Sequence, residues 1–326
     1  MVIRIGTGST AGTYFPVGGL IGNAISNPPG SRPCARGGSC GVPGLIAVAQ
    51  STAGSVENIK SVISGSMELG LSQADVAYWS FFGTGFFEGR PPQDSLRALA
   101  NLFPENIHLI ARANSGIESL QDLNGKRVSL GGRGSGSRID ARLILSAYGL
   151  KFGNMRLSAL DLEPSADALV AGEIDAFFLV SGAPALAIRD LAEQIELKFV
   201  PIDGPVAIKL TKIFPFFERG VIPAGVYGNN PKTETLDVGA LLIARDDMSS
   251  DLAYGITSAL WHPNTAPLLA NGHPRARLMN LSRAAQGIGV KLHPGALNYY
   301  IEQGVMPTQS EAKADAVNLK PASHRR

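Results

Sequence analysis

Apolar positions along the chain alternate between two spacings. Ile3-Arg4-Ile5 reads as a strand. Val17, Leu20, Ile21, Ala24 and Ile25 then recur at i, i+3, i+4, i+7 and i+8, the stripe of an amphipathic helix. Thr13 is the expected N-cap, and Pro16 falls in the first turn, where its missing N–H does no harm. Leu45 to Ala49 predicts a second strand. Ser55 is then expected to cap a helix carrying Val56, Ile59 and Ile63, with Glu57 near its positive end. Glu68 to Ser72 predicts a third strand, ending at Gln73-Ala74-Asp75. This is βαβαβ, the start of a parallel, doubly wound α/β sheet.

The scheme repeats further on. Arg127 to Leu130 reads as a strand, and "GGRGSGS" (Gly131 to Ser137) as a loop. Ile139, Leu143, Ile144 and Ala147 form a helical stripe that stops at Gly149. Arg156 to Ser158 is a strand, Ser165 an expected helix cap, and Ala176 to Val180 another strand. Two α/β lobes with related layouts follow. The tetrapeptide Leu-Ile-Ala-Arg occurs at 109–112 and again at 242–245, as expected of two hinge strands. That places lobe 1 at 1–111 plus 240–326, and lobe 2 at 112–239.

Composition narrows the class. The chain has 326 residues, 44% hydrophobic and 17% charged, which suits a globular protein with a sizeable core. A net charge of +2, with no basic cluster flanked by aromatics, argues against a nucleic-acid partner. His324-Arg325-Arg326 reads as a solvated tail. No apolar run is long enough to span a membrane. Strand-like residues follow Met1 directly, so the expectation is a cytoplasmic chain or an exported one whose signal was removed. Cys34 and Cys40, the only cysteines, lie together in "PPGSRPCARGGSCGVPG", a Gly/Pro-rich surface loop. They are expected to close a small disulfide ring, which suits an oxidising compartment; the alternative is two free thiols. Zinc fits poorly, because no histidine or further cysteine is close in sequence.

"STAG" stands at two strand-to-helix corners, Ser9 to Gly12 and Ser51 to Gly54. The loops at 8–13, 51–55 and 132–137 each offer hydroxyls, free N–H groups and a positive helix end. Ligands of open α/β sheets bind beyond the carboxyl ends of the strands, so an anionic group held from both lobes is expected here. Helix capping alone also explains these residues one loop at a time. Gly6-x-Gly8-x-x-Ala11 matches a dinucleotide fingerprint only formally: no acidic residue precedes Glu57 to take the ribose hydroxyls. Neither STAG loop ends in Gly-Lys-Ser/Thr, so a phosphate-binding P-loop is excluded. No cofactor and no metal site is expected.

"IGTGSTAGTYFPVGG", "GSVENI", "LSQADVAY", "LNGKRVSLGGRGSGSR", "AGEIDAFFLVSGAP", "IPAGVY" and "LHPGALNYYIEQG" resemble, in order, the TAXI solute receptors of TRAP transporters, from about residue 3 to residue 304. The resemblance implies an exported, periplasmic receptor with a type II periplasmic-binding fold. It would be a monomer that binds a small carboxylate, glutamate-like or a dicarboxylate, and delivers it to a TRAP membrane permease. Carried over by position, the contacts would come from Ser9, Thr13, Tyr14, Ser55, Gln73 and Asp75 in lobe 1. Lobe 2 would supply Ser135, Gly136 and Ser137. Gly8 and Gly12 belong to the first of these loops. Ala74 departs from the small hydroxyl residue expected there, and the loop 28–44 is longer than in many members.

Several roles follow from the residues. Tyr14 and Tyr227 are expected to pack on the ligand and donate to it. Asp75 is either an acceptor for an ammonium group or a helix N-cap. Arg133 and Arg138 are candidates for an anion, Arg138 equally for solvent. The rival class is a transferase on the same fold, acting on a small anionic substrate. It would need a nucleophile and base in the cleft, and His108, His262, His273 and His293 are scattered. A ligand-sensing regulator is the third reading, but no DNA-binding segment is attached. His293 is expected to make a structural hydrogen bond before a C-terminal helix.

Overall fold

The computed structural model describes residues 1–307; the basic tail at 324–326 and the end of the expected first lobe lie outside them. In chain order the strands are β1 (Val2–Gly6), β2 (Ser26–Asn27), β3 (Val42–Pro43), β4 (Ile46–Gln50), β5 (Leu69–Gln73), β6 (Leu96–Arg112), β7 (Arg127–Ser129), β8 (Arg156–Ser158), β9 (Ala176–Ser181), β10 (Leu197–Phe199), β11 (Phe217–Ile222) and β12 (Thr233–Arg245). The helices are α1 (Tyr14–Ile25), α2 (Ser55–Ile63), α3 (Ala74–Phe82), α4 (Gly136–Ala147), α5 (Leu162–Val170), α6 (Leu186–Gln194), α7 (Gly204–Ile213), α8 (Ser250–Leu260), α9 (Ala266–Gly272) and α10 (Pro294–Glu302). Among the described residues no helix is long and apolar enough to cross a membrane.

Ten strands form one mixed sheet in the order β4-β1-β5-β12-β6-β9-β7-β8, with β10 and β11 pairing off that path. Its spine is the antiparallel pair β12 and β6. On the first flank β4, β1 and β5 run parallel; on the second, β8, β7 and β9 do the same. Each flank places its first strand between its second and its third, so the related layouts read from the sequence are present in space. All five residues of β5 are buried, as a central strand requires. β4 at the edge exposes Ile46 and Val48.

The two Leu-Ile-Ala-Arg segments belong to the two strands of this spine. They are not side by side. Leu109 to Ala111 pairs with β9 and β10 on the second flank, whereas Leu242 to Ala244 pairs with β5 on the first. They are the far ends of two long strands running in opposite directions. The strands meet mid-sheet at Asn106 opposite Asp237 and Pro104 opposite Gly239.

Apolar packing covers both faces. Ile5, Ile21, Leu71 and Tyr300 belong to a core under α1, α8 and α10. Phe177, Ile188 and Leu191 form a second under α5 and α6. A third runs across the spine, joining Val56 and Val76 to Ile139, Ile144 and Phe178. The flanks therefore touch through apolar side chains as well as through the sheet.

Three expected caps differ. Thr13 stands at the start of α1, but its hydroxyl donates to Gly182 O at 2.8 Å instead of capping its own helix. Ser55 is the first helical residue of α2, and Gly54 precedes it as the cap. Ser165 lies inside α5, which Asp161 precedes; its hydroxyl bonds Leu160 O at 3.2 Å and Ser129 Oγ at 3.0 Å. Cys34 and Cys40 are bridged. The fold sets His262 against them, its Nε2 at 3.8 Å from Cys34 Sγ.

Candidate functional site

A cavity of about 450 Å³ lies between the flanks, in the range of small-ligand pockets. Four strand-to-helix loops line it, with Gln73 at the end of β5, Glu105 of β6 and the end of β9. Three are the loops singled out by sequence: after β1, after β4 and after β7. The fourth, Leu160 to Glu163 between β8 and α5, was missed. The starts of α1, α2, α4 and α5 thus face one space, and first-turn N–H groups there have no intrahelical acceptor.

The corners touch across the cavity. Val56 and Glu57 N–H donate to Gly134 O at 3.1 and 3.3 Å. Ala187 N–H donates to Ala11 O at 3.1 Å. Ser9 Oγ donates to Glu163 Oε1 at 2.5 Å. Because the Thr13 hydroxyl donates to Gly182 O, Ser181 is the donor in the 2.9 Å contact between their hydroxyls. Gly136 sits where a Cβ would fall 1.4 Å from Gln73 Oε1, so the second-flank helix approaches the end of β5 as only glycine permits. The cleft is closed.

The other hydroxyls are partly engaged. Ser55 Oγ accepts from Gln73 N–H at 3.1 Å. Ser135 caps α4, accepting from Arg138 N–H at 3.3 Å and donating to Gly132 O at 2.8 Å. Ser137 Oγ accepts from Val180 N–H at 2.9 Å and keeps its own proton free to donate.

Acidic groups define the electrostatics. Glu105, Asp161 and Glu163 line the cavity; no Lys, Arg or His among the described residues does. Tyr14 OH donates to Glu105 Oε2 at 2.6 Å. Burial pushes Glu105 up to about 8, against the bond from Tyr14 and the pull of Arg275, so its proton is available at neutral pH. Burial, then Glu105, raises the Tyr14 phenol well above its usual range. Asp161 folds back on Gly132, where a Cβ would meet its Oδ1 at 1.6 Å.

Of the expected contacts, Gly8, Ser9, Gly12, Thr13, Tyr14, Ser55, Gln73, Ser135, Gly136 and Ser137 line the cavity; Asp75 and Tyr227 do not. Asp75 lies in the first turn of α3, fully buried behind the wall. Neither expected role is seen: it faces no open cavity, and Gln73 holds the N-cap position. Tyr227 lines a separate groove with the 225–230 loop. Its OH accepts from Ala185 N–H at 3.1 Å and donates to His108 Nε2 at 3.1 Å, because His108 Nδ1–H donates to Asn106 O at 3.0 Å. Burial lowers His108 to about 4, so this buried chain is uncharged. Arg133 and Arg138 stand outside the lining. His293 is structural as expected: its Nδ1 accepts from Gly295 N–H at 3.2 Å and starts α10. The missed acids left a faint signal, charged residues inside the apolar runs "LFPENIHLI" and "SALDLEPS".

The model of the NMT1-like family matches residues 5–304, nearly the whole described chain. The chain belongs to that family. Solved structures with the same fold include the alkanesulfonate-binding protein of Xanthomonas axonopodis pv. citri, bound to MOPS. It is 12% identical with a TM-score of 0.50, over 99% of this chain and 85% of that one. A putative L-cystine ABC transporter from Listeria monocytogenes is 14% identical with a TM-score of 0.51, over 86% of this chain and 100% of that one. The ligand-binding component of an ABC-type import system from Staphylococcus aureus, with zinc bound, is 12% identical with a TM-score of 0.50, over 99% and 94%. At these identities the likeness establishes the fold, the mixed α/β architecture of periplasmic binding proteins, which the sequence led us to expect.

Proposed function

We propose that this NMT1-like protein is a periplasmic solute receptor, not an enzyme. It binds a small glutamate-like carboxylate between two lobes, residues 1–111 with those from 240 onward and residues 112–239, and delivers it to a TRAP-type permease. The fold neighbours include an alkanesulfonate-binding protein and the ligand-binding component of an import system, which supports a receptor. The sequence resemblance to TAXI receptors supports the permease partner. The bridged Cys34 and Cys40 suit an oxidising compartment.

The observation that carries the ligand class is the lining: hydroxyls and helix starts together with acidic groups, and no cationic side chain among the described residues. A carboxylate fits the helix starts and the Ser137 hydroxyl. An ammonium group fits Glu163 and Asp161. Glu105, protonated, has a hydrogen to donate to a second carboxylate. A dianion lacking an amino group would face acidic side chains with no opposite charge. Like charges about 4 Å apart cost roughly 4 kcal/mol at an effective dielectric constant near 20, enough to favour the amino acid over the plain diacid.

Thermal unfolding with a metabolite panel tests this. Ligand at about 100 times its Kd adds about 2.7 kcal/mol, so L-glutamate or a close relative should raise Tm clearly and succinate much less. A rise with nucleotides or sugars alone overturns the ligand class. Conversion of the bound compound into product overturns the receptor.

A further inference from the structure

Behind the cavity wall two carboxyl groups face each other across the boundary between the flanks. Asp75 belongs to the first turn of α3, two residues past Gln73, and Asp140 to α4, one turn past Gly136. Both residues are fully buried. None of their four oxygens has a hydrogen-bond donor in the structure. The start of α4 packs directly on the end of β5, Gly136 against Gln73 Oε1, and the two carboxyls are close enough to act on each other's proton affinity. The N–H groups of residues 75 and 76 are close enough to favour an ionised Asp75, though not in bonding geometry. Two ionised carboxylates only accept, so a hydrogen bond between them needs a proton.

Among the described residues no cationic side chain relieves the pair. Glu105 on β6 raises Asp140 further only where it is itself ionised, above about pH 8, and Tyr14 from α1 is bonded to Glu105. Arg275 and Asp237 influence Glu105. Arg275 is bound to Ala183 O at 2.7 Å and Pro104 O at 3.0 Å. On α4, Arg142 sits over the rings of Phe86 and Phe152, at 5.8 and 4.7 Å, and Arg138 neighbours Arg133 and Arg142. On α2, Glu57 accepts from Ala53 N–H at 2.7 Å, and Lys60 is exposed.

We propose that Asp75 and Asp140 form a proton-binding site between the flanks, so that closing the cleft takes up a proton and is favoured in acid. This rests on the proposed opening and closing of the receptor. In the open state each carboxyl group reaches water and ionises in the ordinary range. On closure one oxygen keeps or gains a proton and donates it to the other carboxylate; no other bond changes.

The energetics agree in direction. Burial pushes Asp75 up to about 6, and burial beside Asp75 pushes Asp140 well above the usual carboxylate range. Both closed-state values lie above the ordinary 3.8. The closed form therefore has its full advantage below about pH 4, and loses it as pH rises through about 6 and beyond.

The first test needs no ligand. Solution scattering at about pH 5 and about pH 8 should give the wild type a smaller radius of gyration at the lower pH. Asp140→Asn, whose amide donates to Asp75 at any pH, should show the same radius at both. Asp75→Asn should behave likewise. An unchanged pH response in both variants overturns the proposal. So does a wild-type compaction at about pH 8 that requires added Na⁺ or Ca²⁺, because the pair would then hold a cation. Should neither variant fold, carbon NMR of the wild type with labelled aspartate decides. Burial also pushes Asp237 up to about 6, so three aspartates titrating above the ordinary range support the proton site, and Asp237 alone doing so overturns it.

The second test uses L-glutamate as probe. Calorimetry at about pH 6 in buffers of different ionisation enthalpy should show greater proton uptake per bound glutamate in the wild type than in Asp140→Asn. Any proton taken up at Glu105 is common to both. Equal uptake in the two overturns the proposal, as does no uptake in the wild type. If L-glutamate does not bind, the ligand class fails, while the scattering result still judges the proton site.

Discussion

The two copies of STAG have the same four residues, the same place after a strand and the same place before a helix, yet they are held differently. In the first copy Ser9 reaches across the cavity to Glu163, and Ala11 O accepts from Ala187 N–H of the opposite flank. Thr10 is exposed. In the second copy the bonds turn inward. Ser51 Oγ donates to Gly8 O at 2.9 Å. Thr52 Oγ1 donates to Asn58 Oδ1 at 2.7 Å and accepts from Gly54 N–H at 3.1 Å. Buried Asn58 in turn donates to Thr7 O and Leu71 O at 2.6 and 2.8 Å, tying β1, α2 and β5 together. One tetrapeptide bridges the flanks and the other braces its own. Small polar residues at a corner supply donors and acceptors; position in the sheet decides what they meet.

The glycines separate the copies most sharply. Gly54 has φ 114° and ψ −154°, a region that residues with a Cβ scarcely enter. Gly12 has no such backbone, and a Cβ there would meet Ser9 O at a tolerable 3.4 Å. Gly54→Ala should lower stability by roughly 1–3 kcal/mol in urea unfolding, and Gly12→Ala by less than about 0.5 kcal/mol. Equal losses would show that the two corners are strained alike.

The threonines come next. Thr52→Val removes a hydroxyl with two bonds inside the first flank and should cost about 0.5–1.5 kcal/mol. Thr10→Val, at an exposed position, should change stability by less than about 0.5 kcal/mol. A drop for Thr10→Val as large as for Thr52→Val, measured by thermal unfolding, would erase the distinction.

Much of this arrangement is legible in the sequence, and the reason is local. The stripe from Val17 to Ile25 fixes α1, the run Leu69 to Ser72 fixes β5, and glycine and hydroxyl residues mark the corners between them. A cavity beyond the strand ends follows from topology alone. What escaped depends on distant parts of the chain. Thr13 looks like an N-cap, but its better acceptor, Gly182 O, lies 169 residues on. Asp75 looks like a ligand contact because it follows Gln73, yet its place in the first turn of α3 carries it behind the wall to Asp140. Glu105 sits in an apolar strand, and only the crossing of β6 past the corners aims it into the cavity. His262 joins the cysteine loop from 228 residues away, a neighbour that no local spacing reveals. The repeated Leu-Ile-Ala-Arg marks the two long strands that cross between the flanks, but their antiparallel pairing, which puts the copies at opposite ends, is not readable from the repeat.

The smallest effect on folding should come from the serines, and there the copies differ in kind. Ser51→Ala removes one bond to Gly8 O at an exposed position, so stability should change by less than about 0.5 kcal/mol and affinity by less than in Ser9→Ala. Ser9→Ala removes the bond to Glu163, which joins the two flanks. In the proposed open state Ser9 and Glu163 would both turn to water, so the bond should contribute to closure and hardly to unfolding of the open chain. Tm without ligand should therefore stay within the same small limit, while affinity for L-glutamate falls about three- to tenfold, equivalent to roughly 0.5–1.5 kcal/mol for one hydrogen bond. Ligand-induced compaction should persist at saturation, because the contacts from Val56 and Glu57 to Gly134 and from Ala187 to Ala11 remain. Calorimetry and scattering on the two variants read both quantities. If Ser9→Ala instead lowers Tm as much as Thr52→Val and leaves affinity unchanged, the first copy braces its own flank just as the second does, and the contrast between them fails.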